Sequence, residues 1–209
     1  MTTTTNDGLP YDSSARAPGP NRPQRMGRRL WAPMLAMALM AWPVGLILSG
    51  VRAGEIASAA PDLETIATLG QLVPAFMFIG FLGVFAAISF AIARILGVFR
   101  QGGGDVQEAA RRNVHTLRMP VIAKAFLGLM MMATMLIAVA VVLHFVAAAG
   151  VGSWSAATLE QWSIVLEAVR RTGVALYLFA ITFGLGTIIT VLRFQTHRIG
   201  RLAGEPARG

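Results

Sequence analysis

Long apolar segments, separated by short clusters of charged residues, dominate the pattern along the chain. Four segments contain no Asp, Glu, Lys or Arg; they comprise 22, 29, 35 and 21 residues, at positions 30–51, 65–93, 125–159 and 172–192. About 20 helical residues, each rising 1.5 Å, cross the roughly 30 Å hydrocarbon core of a bilayer. The third segment ends near Ala149, where Gly150, Gly152 and Ser153 interrupt it. The pattern therefore predicts four transmembrane helices, over about 30–51, 69–93, 122–149 and 172–193.

These spans predict an all-α fold, a polytopic membrane protein with a four-transmembrane-helix bundle and short interfacial helices. The bundle occupies 29–199, between a cytoplasmic tail at 1–28 and a second tail at 200–209. Residues 1–24 are rich in Thr, Ser, Asp, Asn and Pro and have little apolar content, which is typical of disorder.

Two short helices are expected at the membrane surfaces. Gly102, Gly103 and Gly104 predict a flexible hinge, after which Asp105 is expected to cap a helix through Leu117. On the other side, Thr158 and Gln161 form a capping-box pattern ahead of a helix over 159–172. The sequence leaves open whether this outer helix continues into the fourth span.

Basic residues are distributed unevenly between the two sides of the membrane. Fifteen lie in the tails and in the loop after the second span, whereas Arg52, Arg170 and Arg171 are the three in the remaining loops. Because Lys and Arg stay on the cytoplasmic side, both termini are predicted to be cytoplasmic. The expected location is the plasma (inner) membrane. Ala57-Ser58-Ala59 resembles a signal-peptidase site, but the long apolar run before it favours a retained helix.

Composition limits the classes of function. The chain has 209 residues, of which 55% are hydrophobic and 13% charged, and its mean hydropathy is +0.62. The longest aqueous loop, 94–119, is shorter than the roughly 40 residues that a domain needs for its own core, so we expect no enzyme activity. The net charge of +8 lies beside the spans, which favours contact with the lipid bilayer and excludes a nucleic-acid partner. Without cysteine there is no thiolate metal site.

His144 and four methionines are the only candidates for a cofactor site. His144 is the one ionisable residue clearly within a span, and imidazole ligates haem and metals. A bis-His haem needs a second histidine at that depth, and His115 and His197 are expected on the opposite side. Thioethers suit Cu(I), and similar depth is predicted for Met37, Met40, Met131 and Met135. Methionine is also a flexible packing residue, so no cofactor and no metal is predicted here.

Helix packing is indicated by small residues at helical spacing. Gly80, Gly83 and Ala87 form such a surface on the second span, and Trp42 lies deep enough to contact another helix. Gly184 and Gly186 do the same on the fourth span. A small outward cavity is expected near Gln71, His144 and Tyr177, because their depths match.

Three hypotheses of function follow. The first is a non-catalytic integral membrane protein, an accessory or scaffolding subunit that binds other membrane subunits or itself. The second is a redox or metal-handling subunit that uses haem or copper at His144 or the methionines. The third is a small oligomeric transporter or channel component, in which Gln71, Ser89 and Thr187 would contact water.

Overall fold

The computed structural model describes residues 2–4 and 8–204. Four long helices form its frame: α1 (Arg22–Ile56), α2 (Leu63–Ala109), α3 (Val121–Gly150) and α4 (Ala156–Gly204). Each contains a window long and apolar enough to cross a membrane. The predicted all-α, multi-pass four-helix bundle is confirmed. A small antiparallel sheet is added to it, in the order β1 (Thr2–Thr4), β2 (Pro10–Ser14) and β3 (Val114–Leu117).

The chain divides into two compact units. Unit 1 comprises 1–31, 88–128 and 180–209; unit 2 comprises 32–87 and 129–179. In unit 2, side chains of α2, α3 and α4 form an apolar core around Ile137 and Tyr177. In unit 1, the buried apolar side chains include Tyr11, Val114, Phe126 and Phe194.

Glycines allow α1 and α2 to approach closely within unit 2. A Cβ atom at Gly83 would lie 2.6 Å from the Met34 carbonyl oxygen and 2.9 Å from the Ala38 Cβ. A Cβ at Gly80 would overlap the indole of Trp42, which packs edge-on against Phe81. The small-residue surface predicted on the second span and the helix contact predicted for Trp42 are both confirmed.

Side-chain caps begin α1, α2 and α4, and none of them lies where the sequence predicted a cap. Asn21 and Gln24 form a reciprocal capping box, since each backbone N–H donates to the other's side-chain oxygen. Asp62 caps α2. The cap of α4 is Ser155, whose Oγ accepts the N–H of Thr158 at 3.2 Å. The capping box predicted at Thr158 and Gln161 is therefore wrong, and the outer segment 159–172 belongs to the continuous helix α4.

Disorder is predicted over 1–24; residues 1 and 5–7 lie outside the described residues, and the rest of this segment departs from the prediction. β2 pairs with β3, so that Tyr11 lies opposite Leu117 and Asp12 opposite Thr116. Tyr11 is buried against the ring of His115, with the centroids 4.9 Å apart. One buried aromatic and a ladder to a distant strand thus order a segment of low hydropathy.

The expected surface helix from Asp105 to Leu117 is also wrong. Gly102, Gly103 and Gly104 lie inside α2, which ends at Ala109. Arg111 has a left-handed φ of 53°, its N–H donates to Glu108 O, and the N–H of Arg112 donates to Gln107 O. This pair of hydrogen bonds is the Schellman motif, which terminates helices, and residues 114–117 then form β3.

Replacing Gly83 with Ala should destabilise the protein by about 1–3 kcal/mol, because the added methyl group meets backbone and must separate α1 from α2. Gly128 on α3 is the matched control, since a Cβ there meets open space. Gly128→Ala should stabilise the helix by about 0.5–1 kcal/mol. Thermal unfolding of both variants in one detergent checks this; equal shifts of the same sign would contradict it.

Asp62 should make folding sensitive to acid. Its carboxylate accepts hydrogen bonds from Thr65, through the hydroxyl and the backbone N–H, and from the Glu64 N–H; these lower its pKa from the ordinary 3.8. Because the folded-state pKa is lowered, the ionised cap stabilises the fold above pH 3.8, and this contribution is lost as the pH falls through the lowered value. Asp62→Asn keeps a capping oxygen but does not titrate. Its thermal midpoint should therefore fall less than the wild type's between pH 6 and 3, and identical curves would refute the assignment.

Candidate functional site

A buried imidazole and a side-chain amide meet within unit 2. His144 on α3 is 2% exposed, and its Nδ1 lies 2.9 Å from Oε1 of Gln71 on α2. Because an amide oxygen only accepts, Nδ1 carries the proton and Nε2 holds the lone pair. Nε2 is buried and has no hydrogen-bond partner among residues 2–4 and 8–204. This is the orientation that a metal-ligating histidine adopts, with its second nitrogen held by an oxygen.

A positive charge lies near this imidazole. Arg170 on α4 is close enough for its charge to act on His144. Its guanidinium forms an ion pair with Glu167 and lies over the ring of Phe78, 4.9 Å from the centroid. A nearby guanidinium disfavours a second cation at Nε2 but suits a neutral or anionic group. Within the described part of the chain, no three His, Cys, Asp or Glu side chains are grouped to hold a metal.

The structure brings together two of the three residues expected to share a cavity. Gln71 and His144 are hydrogen-bonded, whereas the Tyr177 hydroxyl lies 2.5 Å from Thr134 Oγ1 instead. The Tyr177 ring stacks on Phe85 at 4.9 Å, inside the unit 2 core. Tyr177 therefore has a packing role at this depth.

The methionine candidates face mostly outward. Met40 is 73% exposed, Met131 and Met135 are each 68% exposed, and Met37 is half-buried. One copper ion requires several thioethers to converge on a point, whereas outward thioethers contact lipid or another chain. The other two histidines lie in unit 1, with ring centroids 6.3 Å apart and Tyr11 against both.

One face of α1 is a candidate binding surface that was not predicted from the sequence. Its residues recur at alternating spacings of four and three, and all are exposed: Ala36, Met40, Pro43, Ile47, Gly50 and Gly54. We call these six residues the α1 outer seam. A Cβ at Gly50 or Gly54 would meet nothing within 4 Å. The spacing is visible in the sequence, but only the structure shows that this face is open.

The opposite face of α1 packs against α2. Met34, Ala38 and Gly45 contact α2 through Gly83 and Met77. Both faces combine small residues with a methionine, which is the composition of tightly packed helix pairs in membranes. The α1 outer seam thus has the chemistry of a helix interface, but no helix of the described residues packs against Gly50 or Gly54.

The glycines predicted on the fourth span pack inside unit 1. A Cβ at Gly184 would lie 3.0 Å from the Ile92 side chain, and one at Gly186 would lie 2.6 Å from that of Ile122. Neither glycine is open to a partner. In comparisons with protein-family models, curated proteins and solved structures, nothing matches this chain.

Proposed function

We propose that this protein is a non-catalytic accessory subunit of the plasma (inner) membrane, which binds a transmembrane helix of another chain through the α1 outer seam. The observation that carries the proposal is the open glycine pair Gly50 and Gly54 in a seam of heptad spacing. Heptad spacing lets two helices wrap around each other, and glycine lets their backbones approach. Exposed Met40 and Ile47 add adaptable apolar contact.

The connections between the helices support a role without soluble catalysis. The helices are joined by 57–62, 110–120 and 151–155, segments of at most eleven residues. The distribution of arginines supports cytoplasmic termini. The ends of α2 and α4, which contain Arg100 and Arg198, belong to the side of the bundle that carries fifteen of the basic residues, and the basic side of a membrane protein faces the cytoplasm. A scaffold in this orientation would expose its basic side to the cytoplasm.

The intact mass of the complex released from its native membrane in mild detergent tests the proposal. A mass well above 22.2 kDa, with a second polypeptide present, is expected. Gly50→Leu/Gly54→Leu should reduce the recovered partner by roughly tenfold, which corresponds to about 1.4 kcal/mol of association energy. Gly128→Leu is the matched control, because it enlarges another open glycine outside the seam.

Two outcomes count against the subunit hypothesis. Integer multiples of the chain alone would favour self-association, and with it the third hypothesis of an oligomeric channel. Equal loss of partner in the Gly128 control would show that the seam has no special role. The channel hypothesis itself gains no support from Ser89 and Thr187, which are buried, Thr187 donating its hydroxyl proton to Phe183 O.

A second candidate function, a redox or metal-handling subunit, is favoured by the free Nε2 of His144. It predicts that protein extracted from the native membrane carries haem or copper, seen as a Soret band or by metal analysis. His144→Ala should then lose the group, while His197→Ala in unit 1 retains it. A colourless, metal-free preparation would remove this candidate.

A further inference from the structure

Unit 1 contains a cavity that joins apolar and basic walls. Its volume is about 440 Å³, and its lining comes from the start of α1, the ends of α2 and α4, β3 and the start of α3. The apolar wall is formed mainly by Leu96, Phe126, Leu127 and Val191; the polar wall includes Arg100, Thr116, Gln195 and Arg198. The sequence predicts that the second and fourth spans end at residues 93 and 193, so we expect this cavity at the boundary between hydrocarbon and headgroups.

Arg198 is a buried charge in this wall. It is 2% exposed, its Nε donates to His115 O at 2.7 Å, and its Nη1 donates to Phe99 O at 3.3 Å. The carbonyl dipoles bind the guanidinium without cancelling its charge. Among the described residues, one ion pair involves side chains that line this cavity, and it joins Arg118 to Asp12. Arg198 has no such partner in the described part of the chain. A buried charge without a counter-ion is costly, so a site of this kind favours an anion.

Arg100 is a second positive charge in the wall of this cavity. It lies close enough to Arg198 for the two positive charges to repel. Its Nε is buried without a hydrogen-bond partner within the described ranges, and so is Oγ1 of Thr116 on the same wall. With Arg118 neutralised by Asp12, the charged side chains of the lining leave an excess of two positive charges.

We propose that this cavity binds the phosphate headgroup of an acidic phospholipid, with the phosphate between Arg100 and Arg198 and an acyl chain along Phe126 and Leu127. Guanidinium groups donate paired, charge-assisted hydrogen bonds to phosphate oxygens. The apolar wall beside these arginines can contact the acyl chain of a lipid, whereas inorganic phosphate would leave that wall without a partner. This site is separate from the α1 outer seam and does not depend on the proposed subunit role.

Lipid binding to the delipidated full-length protein in detergent tests the inference. Native mass spectrometry would compare phosphatidylglycerol with phosphatidylcholine of identical acyl chains, and inorganic phosphate would be added as competitor. Phosphatidylglycerol should bind at least about tenfold more tightly. Arg100→Gln should weaken it by about tenfold or more, as for a lost charge-assisted hydrogen bond.

Arg193→Gln is the matched control, since Arg193 is exposed, lies on α4 five residues before Arg198 and is absent from the cavity wall. It removes the same charge and should change binding less than about twofold. Because Arg198 also holds backbone carbonyls, Arg198→Gln is compared only if its thermal midpoint matches wild type. If it does not, Thr116→Val is used in place of Arg198→Gln, because valine keeps the side-chain volume. Thr116→Val should weaken the binding of phosphatidylglycerol and leave that of phosphatidylcholine unchanged.

Three results would overturn the inference. One is equal affinity for the two lipids. Another is equal weakening by Arg100→Gln and Arg193→Gln, which would indicate general attraction to a basic surface. The third is displacement of phosphatidylglycerol by inorganic phosphate at similar affinity, which would assign the cavity to a free anion.

Discussion

The hydrocarbon core of a membrane offers no partner to a polar group, and the arrangement of this protein follows from that constraint. Backbone groups are satisfied within four long helices. Hydroxyl groups along them donate to carbonyl oxygens of their own helix, as Thr187 does to Phe183 and Thr190 to Gly186. His144 obtains a partner from a second helix through Gln71. Charged side chains are left to the ends of the apolar segments, where the basic cavity and the Arg170 cluster lie.

The spans were predictable because the signal for them is local and long. An uninterrupted apolar run of 20 or more residues has few alternatives, so all four helices appear where the pattern placed them. The segment from Gly102 to Leu117 was not predictable in the same way. Its helix is supported by side chains far along the chain, and it ends because Arg111 adopts a left-handed conformation that the sequence does not favour.

The candidate sites show a similar division. Helical rise fixes depth, so the proximity of Gln71 and His144 followed from counting residues. Depth does not fix rotation about the helix axis, and for that reason Tyr177 bonds to Thr134 instead. The heptad spacing of the α1 outer seam is present in the sequence. The face of α1 that packs against α2 has the same spacing and similar residues, so the sequence alone does not show which of the two faces is open. In the sequence Arg198 is one of fifteen basic residues in the tails and the loop after the second span, and only its burial distinguishes it.

The three glycines inside α2 have a consequence for how the protein is made. Together they cost a helix about 3 kcal/mol relative to alanine, so this stretch has little tendency to be helical by itself. A Cβ at Gly103 would lie 2.5 Å from Oε1 of Gln195 and would overlap Arg198, so α4 packs directly against the middle glycine of the three. The ribosome makes those α4 residues roughly 90 residues later. The end of α2 therefore obtains these covering contacts only from residues that are synthesised after the third span, so its helical form depends on a part of the chain that does not yet exist when α2 itself is made.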